Sequence, residues 1–482
     1  MSSHRDKAIK GISWSFIDNI GNKFLQFLVG IVMARLLSPK EYGVLGMVTV
    51  FVTFSHIFLD SGFSQSLVIR KDSRPEDFST VFFFNLAMGI VLYGVFFALA
   101  PLIAAFFEVA ELAALIRVYG VVLVINALSL VQRIQFAKLI DFRTQAFITL
   151  SSTILSSAVG IYLAWSGHGI WSLIIRMILE SAINSSLYWI FGNFRLLWVF
   201  DTKSFRDMFG FGYKMLLSGV IDRGYDELYK VIIGKFFRIE DLGFYQRASQ
   251  FSEIPSSGFT SIIQRVSAPL LAQMPQDKLK SAYSRLIKMI TLVVFSLMAG
   301  MAASASSIVA FLLGPKWVEV VPFLQLLCMA TILYPLHALN LEIIWVRGFS
   351  GLFLRLEIIK KVIALPVILM GIFLGIHAML WGMIGASVLA YFVNSFYSGK
   401  LVDYPVSEQV RDLLPNILVV SAMAALVWLA GFAPLGPKAL FFLQVSLGIT
   451  LVVGLSELVR LAPYLEMKSI FLSKLRAKRG TA

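Results

Sequence analysis

Long apolar runs alternate with short polar segments along the whole chain. Many windows of about 20 residues carry almost no charge, and this is the length of an α-helix that crosses a bilayer. Transmembrane β-strands would instead alternate apolar and polar residues over about ten positions. The pattern therefore predicts an all-α polytopic membrane protein with about fourteen transmembrane helices. The predicted helices are 12–34, 42–65, 80–105, 112–132, 145–165, 170–191, 210–233, 243–269, 286–312, 320–344, 356–376, 378–398, 413–432 and 439–459.

The composition agrees with this prediction. Apolar residues make up 58% of the chain and charged residues 15%, whereas a soluble domain is about one quarter charged. The chain has one cysteine, Cys328, which excludes an internal disulfide and a cysteine-based metal cluster. A net charge of +14 would suit nucleic-acid binding in a soluble protein, but basic residues collect in the cytoplasmic loops of membrane proteins. We therefore expect no nucleic-acid partner.

The basic residues also predict the orientation in the membrane. With the N-terminus in the cytoplasm, most of the 42 Lys and Arg residues fall in cytoplasmic segments. The outer loops then hold Arg35, Lys40, Lys235, Arg238, Lys316 and Lys438. If the helix count were wrong by one, the two sides of the membrane would be exchanged partway along the chain, and the excess of basic residues on the cytoplasmic side would disappear. An even count of fourteen helices therefore predicts that both termini lie in the cytoplasm. The first helix contains Asp18 and Lys23 and is not expected to be a cleaved signal peptide.

The chain contains an internal repeat at an offset of about 200 residues. Three pairs of segments match in order: FIDNIGNKFLQFLVG (16–30) with VIDRGYDELYKVIIG (220–234), SPKEYGVLG (38–46) with RIEDLGFYQ (238–246), and DSGFSQ (60–65) with SSGFTS (256–261). Six predicted helices separate the copies, so the repeats have the same orientation and form two six-helix lobes around a central cavity. The predicted division is an N-terminal lobe at 1–199, a C-terminal lobe at 200–400, and a helix pair with a basic cytoplasmic tail at 401–482.

A stripe of polar residues runs along the first predicted helix, and a matching stripe runs along the seventh. Polar residues recur at every fourth position in both, so they stack on one face of each helix. An unpaired charge that faces lipid near the bilayer centre costs several kcal/mol, so both stripes are expected to line the central cavity. The members are Asp18, Asn19, Asn22, Lys23 and Gln26 in the first helix, and Asp222, Arg223, Asp226, Glu227 and Lys230 in the seventh.

Charged residues in other helices are further cavity candidates: Arg117, Arg176, Glu180, Lys214 and Arg247. Two alternatives stay open for them and for the stripes. Lys214 and Arg117 lie near helix ends and can extend to the interface. Arg176 can pair with Glu180, four residues on, and the charges of the seventh helix can pair with one another and join the lobes.

A coupling ion is a further expectation for the two stripes. Desolvation disfavours the charged form of a buried carboxylate, which suits a group that takes up a proton or binds a cation. Asp18 and Asp222 are the candidates for such a proton or sodium site.

The sequence shows no metal or catalytic motif. Five histidines, His4, His56, His168, His337 and His377, lack metal-ligand spacing. The P-loop, HExxH and nucleophile-elbow patterns are absent. We expect no metal, no cofactor beyond a coupling ion, and no enzymatic activity.

The stretches ARLLSPKEYGVLGMVTVF (34–51) and DSGFSQSLVIRKD (60–72), with the charged first helix, resemble the N-terminal region of bacterial polysaccharide-export flippases. The resemblance is strongest to lipopolysaccharide O-unit and exopolysaccharide flippases of the colanic-acid type. These belong to the multidrug/oligosaccharidyl-lipid/polysaccharide exporter superfamily. Cavities in this family are mostly cationic, and the acidic residues of the seventh helix depart from that tendency.

The resemblance implies a function. Such a flippase moves an undecaprenyl-pyrophosphate-linked oligosaccharide from the inner to the outer leaflet of the bacterial cytoplasmic (inner) membrane. Transport would proceed through the central cavity by alternating access and would use an ion gradient. Membrane lipids, a polysaccharide polymerase and glycosyltransferases of the same pathway are the partners that the resemblance implies.

Two other functions stay open at this point. A drug or metabolite cation antiporter of the same superfamily would have twelve helices and a smaller pocket, which the extra helix pair and the LLSPKEYG motif disfavour. A membrane polysaccharide polymerase or ligase would carry a large outer loop with catalytic residues, whereas every predicted outer loop here is short.

Overall fold

The structure is a computed structural model that describes residues 21–60, 63–70, 73–192 and 194–479. These residues are almost wholly helical, and no β-strand occurs among them. The predicted all-α class is thereby confirmed. Asp18 and Asn19, predicted for the first polar stripe, lie outside the described residues.

Helices follow one another with short connections throughout the described ranges. Up to the middle of the chain they are α1 (Asn22–Leu36), α2 (Pro39–Asp60), α3 (Phe63–Ile69), α4 (Pro75–Phe107), α5 (Leu112–Tyr119), α6 (Val121–Lys138), α7 (Phe142–Trp165), α8 (Ile170–Phe191), α9 (Thr202–Phe236) and α10 (Ile239–Glu253). Beyond it they are α11 (Phe259–Gln273), α12 (Gln276–Ala303), α13 (Ala305–Ile308), α14 (Val320–Thr331), α15 (Tyr334–Val346), α16 (Ser350–Leu374), α17 (Ile376–Val402), α18 (Val406–Ala430), α19 (Pro437–Leu458) and α20 (Ala462–Arg479). Short π-helical turns occur at Ile254–Gly258 and Val309–Leu313, and a 3₁₀ turn at Pro315–Trp317.

Ten helical segments within the described ranges are long and apolar enough to cross a membrane. Each of the fourteen predicted helices has a helical counterpart. Four of the predicted helices do not correspond to any of these ten segments, namely those at 12–34, 210–233, 243–269 and 356–376. The helices at 210–233 and 356–376 carry several charged residues. The protein is a multi-pass membrane protein, and the count of fourteen spans stays a prediction.

Side-chain caps determine where several helices begin. The Asp141 carboxylate accepts a hydrogen bond from the Thr144 backbone N–H at 3.1 Å, at the start of α7. Asp201 does the same for α9 by accepting from Lys203 N–H at 2.9 Å. A carboxylate in this position satisfies backbone donors that the first helical turn leaves unpaired, and it interacts favourably with the positive end of the helix dipole.

The predicted repeat is visible in the order and ends of the helices. α1 ends at Leu36 and α2 begins at Pro39, while α9 ends at Phe236 and α10 begins at Ile239. Both linkers turn through an extended residue, Leu37 or Phe237. Later in each repeat one span is broken midway, between α5 and α6 and again between α14 and α15. The two copies therefore share local architecture as well as sequence.

The chain divides into two compact units, one ending at Gly243 and the other beginning at Phe244. In the first unit, α9 packs against α2, α3 and α4. Met208 of α9 joins a core cluster that contains Phe63, Phe78 and Val131. Trp317, Tyr283 and Tyr404 are among the large side chains fully buried in the second unit. The lobe limits at 199 and 400 stay predictions from the repeat.

Candidate functional site

Polar side chains of three helices meet inside the first unit. Thr153 on α7 lies within hydrogen-bonding distance of two acceptors, with its Oγ1 3.0 Å from both Asn22 Oδ1 and Glu180 Oε1. Gln26 on α1 donates through Nε2 to the same Glu180 oxygen at 3.3 Å. On α8, Arg176 donates to Glu180 Oε2 at 3.2 Å. We call Asn22, Gln26, Thr153, Arg176 and Glu180 the polar cluster.

The local sequence explains how the cluster assembles. α7 packs against both α1 and α8, and its inner face carries small residues that permit close approach. A Cβ atom added at Gly160 would lie 2.8 Å from the Cβ and Cγ atoms of Arg176. Gly160 thus leaves the room in which the Arg176 side chain runs toward Glu180.

The polar cluster is partly shielded from its surroundings. The Arg176 and Glu180 side chains are 17% and 22% exposed, whereas Gln26 and neighbouring Lys23 are exposed. The arrangement combines one guanidinium, one carboxylate, two amides and a hydroxyl on α1 and on the candidate membrane spans α7 and α8. Such a set can hydrogen-bond sugar hydroxyls, and the guanidinium can bind phosphate oxygens in a bidentate way.

The stripe on α9 is described in part. Lys230 Nζ lies 2.9 Å from Glu227, three residues before it, and Glu227 is 7% exposed. A Cβ atom added at Gly224 would lie 3.5 Å from Phe54, and one added at Gly234 would lie 3.3 Å from Met47, both on α2. Glu227 and Lys230 therefore form an ion pair within the first unit. The side chains of Lys214, Asp222, Arg223 and Asp226 lie outside the described atoms.

Arg117 and Arg247 lie apart from the polar cluster. Arg117 on α5 donates through Nε to the Phe97 carbonyl at 3.3 Å, with its guanidinium carbon 4.8 Å from the Phe97 ring centroid. Arg247 belongs to the second unit, is 5% exposed, and donates to Gln250 Oε1 at 2.6 Å. Its guanidinium also stacks near the buried Trp317 ring, at 5.9 Å from the centroid. Both arginines therefore have protein partners, and each guanidinium is also attracted to a neighbouring aromatic ring.

The second unit holds buried polar residues that the sequence reasoning missed. Glu342 on α15 is 7% exposed, and both of its oxygens accept from the Ser267 hydroxyl on α11, at 2.9 and 3.0 Å. Nearby in the sequence, Asn340 accepts from Tyr283 at 2.7 Å and donates to Ser395 at 3.2 Å. Isolated polar residues in apolar helices are the signal that would have found them, because such residues are costly in a membrane without partners.

A metal centre is not supported by the described residues, among which no group of three or more His, Cys, Asp or Glu side chains could hold an ion. The predicted coupling-ion residues Asp18 and Asp222 fall outside the described side chains, so they stay predictions.

A model of the family described as polysaccharide biosynthesis protein matches residues 32–322. The teichuronic acid biosynthesis protein TuaB of Bacillus subtilis strain 168 is 25% identical over 358 residues, which are 73% of this chain and 74% of the relative. The lipopolysaccharide biosynthesis protein WzxC of Escherichia coli K12 is 23% identical over 373 residues, covering 77% and 76% of the two chains.

A solved structure has the same fold. The lipid II flippase MurJ in an inward closed conformation superposes with a TM-score of 0.73, at 14% identity, over 92% of this chain and 98% of that chain. The family match begins in α1, includes the SPKEYG motif and the polar cluster residues of α7 and α8, and reaches α14. Because it covers more than half of the chain, the protein belongs to the polysaccharide biosynthesis protein family.

Proposed function

We propose that this protein is a flippase that moves an undecaprenyl-pyrophosphate-linked oligosaccharide from the inner to the outer leaflet of the bacterial cytoplasmic membrane. The observation that carries the proposal is the polar cluster, which places hydrogen-bonding groups and a guanidinium inside membrane-spanning helices. Family membership and a fold shared with a lipid II flippase support the same class of transport.

The chemistry of the cluster suits such a substrate. A sugar head group and a charged pyrophosphate cannot enter hydrocarbon without groups that replace their hydrating water. Asn22, Gln26 and Thr153 offer amide and hydroxyl partners for sugar hydroxyls. Arg176 offers a planar fork for a phosphate group once it leaves Glu180, and exposed Lys23 adds a second cation. The polyprenyl tail stays in the bilayer throughout.

Transport would proceed by alternating access, driven by an ion gradient. Asp18 and Asp222 are the proposed sites for a coupling proton or sodium ion, and Arg223, in the adjacent row of the α9 stripe, is a proposed phosphate ligand. We propose that both termini lie in the cytoplasm. Glycosyltransferases would supply the substrate on the inner leaflet, and a polysaccharide polymerase would consume it on the outer leaflet.

An antiporter for organic cations is the second candidate. The observation that favours it is the carboxylate of Glu180 at the centre of the polar cluster, since a carboxylate attracts a cation and repels pyrophosphate. Arg176 opposes this reading, because its guanidinium lies 3.2 Å from that carboxylate and balances its charge. A polymerase or ligase activity has no motif in its favour.

Reconstitution distinguishes these functions. The purified protein is placed in vesicles that contain an undecaprenyl-pyrophosphate-linked oligosaccharide with a fluorophore on the sugar, and a membrane-impermeant quencher is added outside. We expect the quenched fraction to rise from about half, set by the outer leaflet, toward the whole population when a proton or sodium gradient is imposed. Vesicles with a Gly160→Leu variant, which fills the space of Arg176, serve as the control.

The contrary result would be gradient-driven uptake of a fluorescent hydrophobic cation by the same vesicles without any change in the quenched lipid fraction. That result would contradict the flippase function and would favour the cation-antiporter function instead.

A further inference from the structure

The segment that joins α8 to α9 is fastened to the start of α4. Leu197 N–H donates to the Ser79 hydroxyl at 3.1 Å. Asp201 N–H donates to the Thr80 hydroxyl at 2.9 Å. Both hydroxyl-bearing side chains are fully buried. The backbone of this connection is therefore held against the first unit by side chains that water does not reach.

The first turns of α9 are fixed at the same place. The Ser204 hydroxyl donates to the buried Asp77 carboxylate at 2.6 Å. Met208, one turn further on, is buried in the core of the first unit. Arg74 lies 3.0 Å from Asp201, so these two charges balance each other. Because the connection and the helix start are already ordered, they would lose little conformational entropy when a partner binds.

The outward side of the connection is apolar and aromatic. Trp198 is 86% exposed, and Val199 and Phe200 are exposed beside it. The Trp198 ring centroid lies 5.5 Å from that of Phe83, which belongs to the candidate membrane span Pro75–Phe107. Ile90, two turns further along that span, is also exposed. The aromatic segment therefore borders a lipid-facing surface, at the kind of membrane boundary where tryptophan is enriched.

Basic residues surround the aromatic segment. Arg195, Lys203 and Arg206 are exposed, and Asp207 is exposed beside them, which leaves an excess of two positive charges. The predicted topology places this end of the first unit on the cytoplasmic side. Anionic phospholipids give the membrane surface a negative potential there, and this potential attracts lysine and arginine. The charge of the segment thus complements the surface that its aromatic side chains border.

A second apolar tip lies at the same end of the first unit. Leu139 and Ile140 form the turn between α6 and α7, and both side chains are exposed. Ile140 has a φ of 59°, a left-handed conformation that is costly for a β-branched residue. Lys138 joins this turn to the connection between α3 and α4 by donating to Ser73 Oγ at 2.6 Å. Contact with lipid accounts for two apolar side chains that are exposed on a strained turn.

We propose that this part of the first unit binds the membrane surface and selects phospholipids with anionic head groups. The residues that bind are the linker surface, formed by Arg195, Trp198, Val199, Phe200, Lys203 and Arg206. Its aromatic side chains lie at the boundary between head groups and acyl chains, and its basic side chains contact lipid phosphates. The tip of the α6–α7 turn enters the same boundary. Transport of a lipid-linked sugar through a cavity does not require such a surface.

Quenching by labelled lipids tests the proposal. A fluorophore is attached to Val199→Cys in a Cys328→Ala background, and the protein is placed in phosphatidylcholine vesicles with a small fraction of phosphatidylglycerol. A nitroxide near the top of the acyl chain is carried by one lipid or the other. We expect the ratio of phosphatidylglycerol to phosphatidylcholine near the fluorophore to exceed the bulk ratio about fivefold, the Boltzmann factor of one basic residue at an anionic surface. High salt should remove this enrichment, because it screens exposed charges.

A charge variant and its control complete the test. Replacing all three basic residues of the linker surface by Gln should return the lipid ratio to its bulk value, while total quenching persists. The matched control removes the same charge from exposed positions of the second unit on the same predicted side, and should keep the enrichment: Lys278→Gln, Arg355→Gln and Arg411→Gln.

Two results with the parent protein would overturn the proposal, whether or not the variants fold. Equal quenching by the two lipids would show that the surface has no preference for anionic head groups. Absence of quenching by either lipid would show that the surface faces water or another protein. The measurement uses no transport substrate, so a wrong flippase assignment would leave its result unchanged.

Discussion

Gln26 Nε2 donates a hydrogen bond to Glu180 Oε1 at 3.3 Å, although the two residues are 154 positions apart. The same carboxylate group also meets Thr153 and Arg176, so one acidic side chain connects α1, α7 and α8. Glu180 is therefore the centre of the polar cluster, and the cluster's charge balance depends on it.

The first prediction concerns that balance. Glu180→Ala leaves the Arg176 guanidinium, 17% exposed, without its counter-charge. We expect the free energy of unfolding to fall by about 1–3 kcal/mol, the cost of an unpaired and partly buried polar group, and polysaccharide export to fall with it. The double variant Arg176→Ala with Glu180→Ala should recover the stability but not the export, if the pair binds substrate.

Thermal unfolding in nanodiscs measures the stability, and surface polysaccharide per unit of membrane protein measures the export. Lys280→Ala is the control, because the Lys280–Glu408 pair is 42% and 40% exposed, and such pairs contribute at most about 1 kcal/mol. Full export by the double variant would reduce the pair to a structural role.

The second prediction concerns the ion pair on α9. Lys230→Ala leaves the Glu227 carboxylate buried without a described cation, and breaking a buried pair from one side costs about 3–5 kcal/mol. We expect a clear loss of thermal stability, and Lys230→Arg should preserve most of it. Adding Glu227→Gln to Lys230→Ala should restore stability, because no buried charge then remains. Equal stability of Lys230→Ala and the parent would contradict the pairing.

The third prediction concerns the buried carboxyl group of α15. Ser267 supplies the hydrogen bonds to Glu342 among the described residues. Ser267→Ala should lower the free energy of unfolding by about 1–3 kcal/mol through loss of that donor. Ser267→Ala combined with Glu342→Leu should cost less than the single change, since the group that needs a donor is gone. A double-mutant cycle with no coupling between the two positions would refute the contact.

The fourth prediction concerns the membrane topology. In a Cys328→Ala background, single cysteines at Ser166 and Lys438 should react with an impermeant thiol reagent outside intact cells. Single cysteines at Ser73, Asp141 and Ser473 should react only after the membrane is permeabilised. Outside labelling at any of these last three positions would break the fourteen-helix arrangement.

The fifth prediction concerns pH at the start of α9. Hydrogen bonds from the Ser204 and Lys203 backbone N–H groups, with Arg74 nearby, hold the pKa of Asp201 below its usual range. A carboxylate whose pKa is lowered by folding stabilises the fold at pH values above its pKa in the unfolded chain, which is about 3.9. This contribution is lost as the pH falls through the lower pKa of the folded state. The hydrogen-exchange rate of the Lys203 and Ser204 amides should therefore rise below about pH 4, relative to the pH dependence that the same amides show above pH 4. The Asp201→Asn variant caps the helix without a titrating charge, so it should not show this rise in exchange at low pH.

The sequence alone was sufficient to predict the helices and the internal repeat. Membrane-spanning backbone must satisfy its own hydrogen bonds, so apolar windows of bilayer length predict helices with little dependence on their neighbours. The predicted helix at 145–165 matches α7 (Phe142–Trp165) to within a few residues. The boundaries differ where helices continue beyond the apolar window. α9 begins at Thr202 instead of 210, because the Asp201 cap determines its start.

The side-chain partners were decided by the tertiary structure. Helical spacing left open which charges of the seventh helix pair with one another, and the structure pairs Lys230 with Glu227. Spacing did predict Arg176–Glu180, a pair within one helix. It could not predict that Gln26 and Thr153 meet the same carboxylate, or that Gly43 meets Ile239, because those contacts join helices far apart in the chain. Periodicity determines which face of a helix is polar, whereas packing against distant helices determines what that face meets.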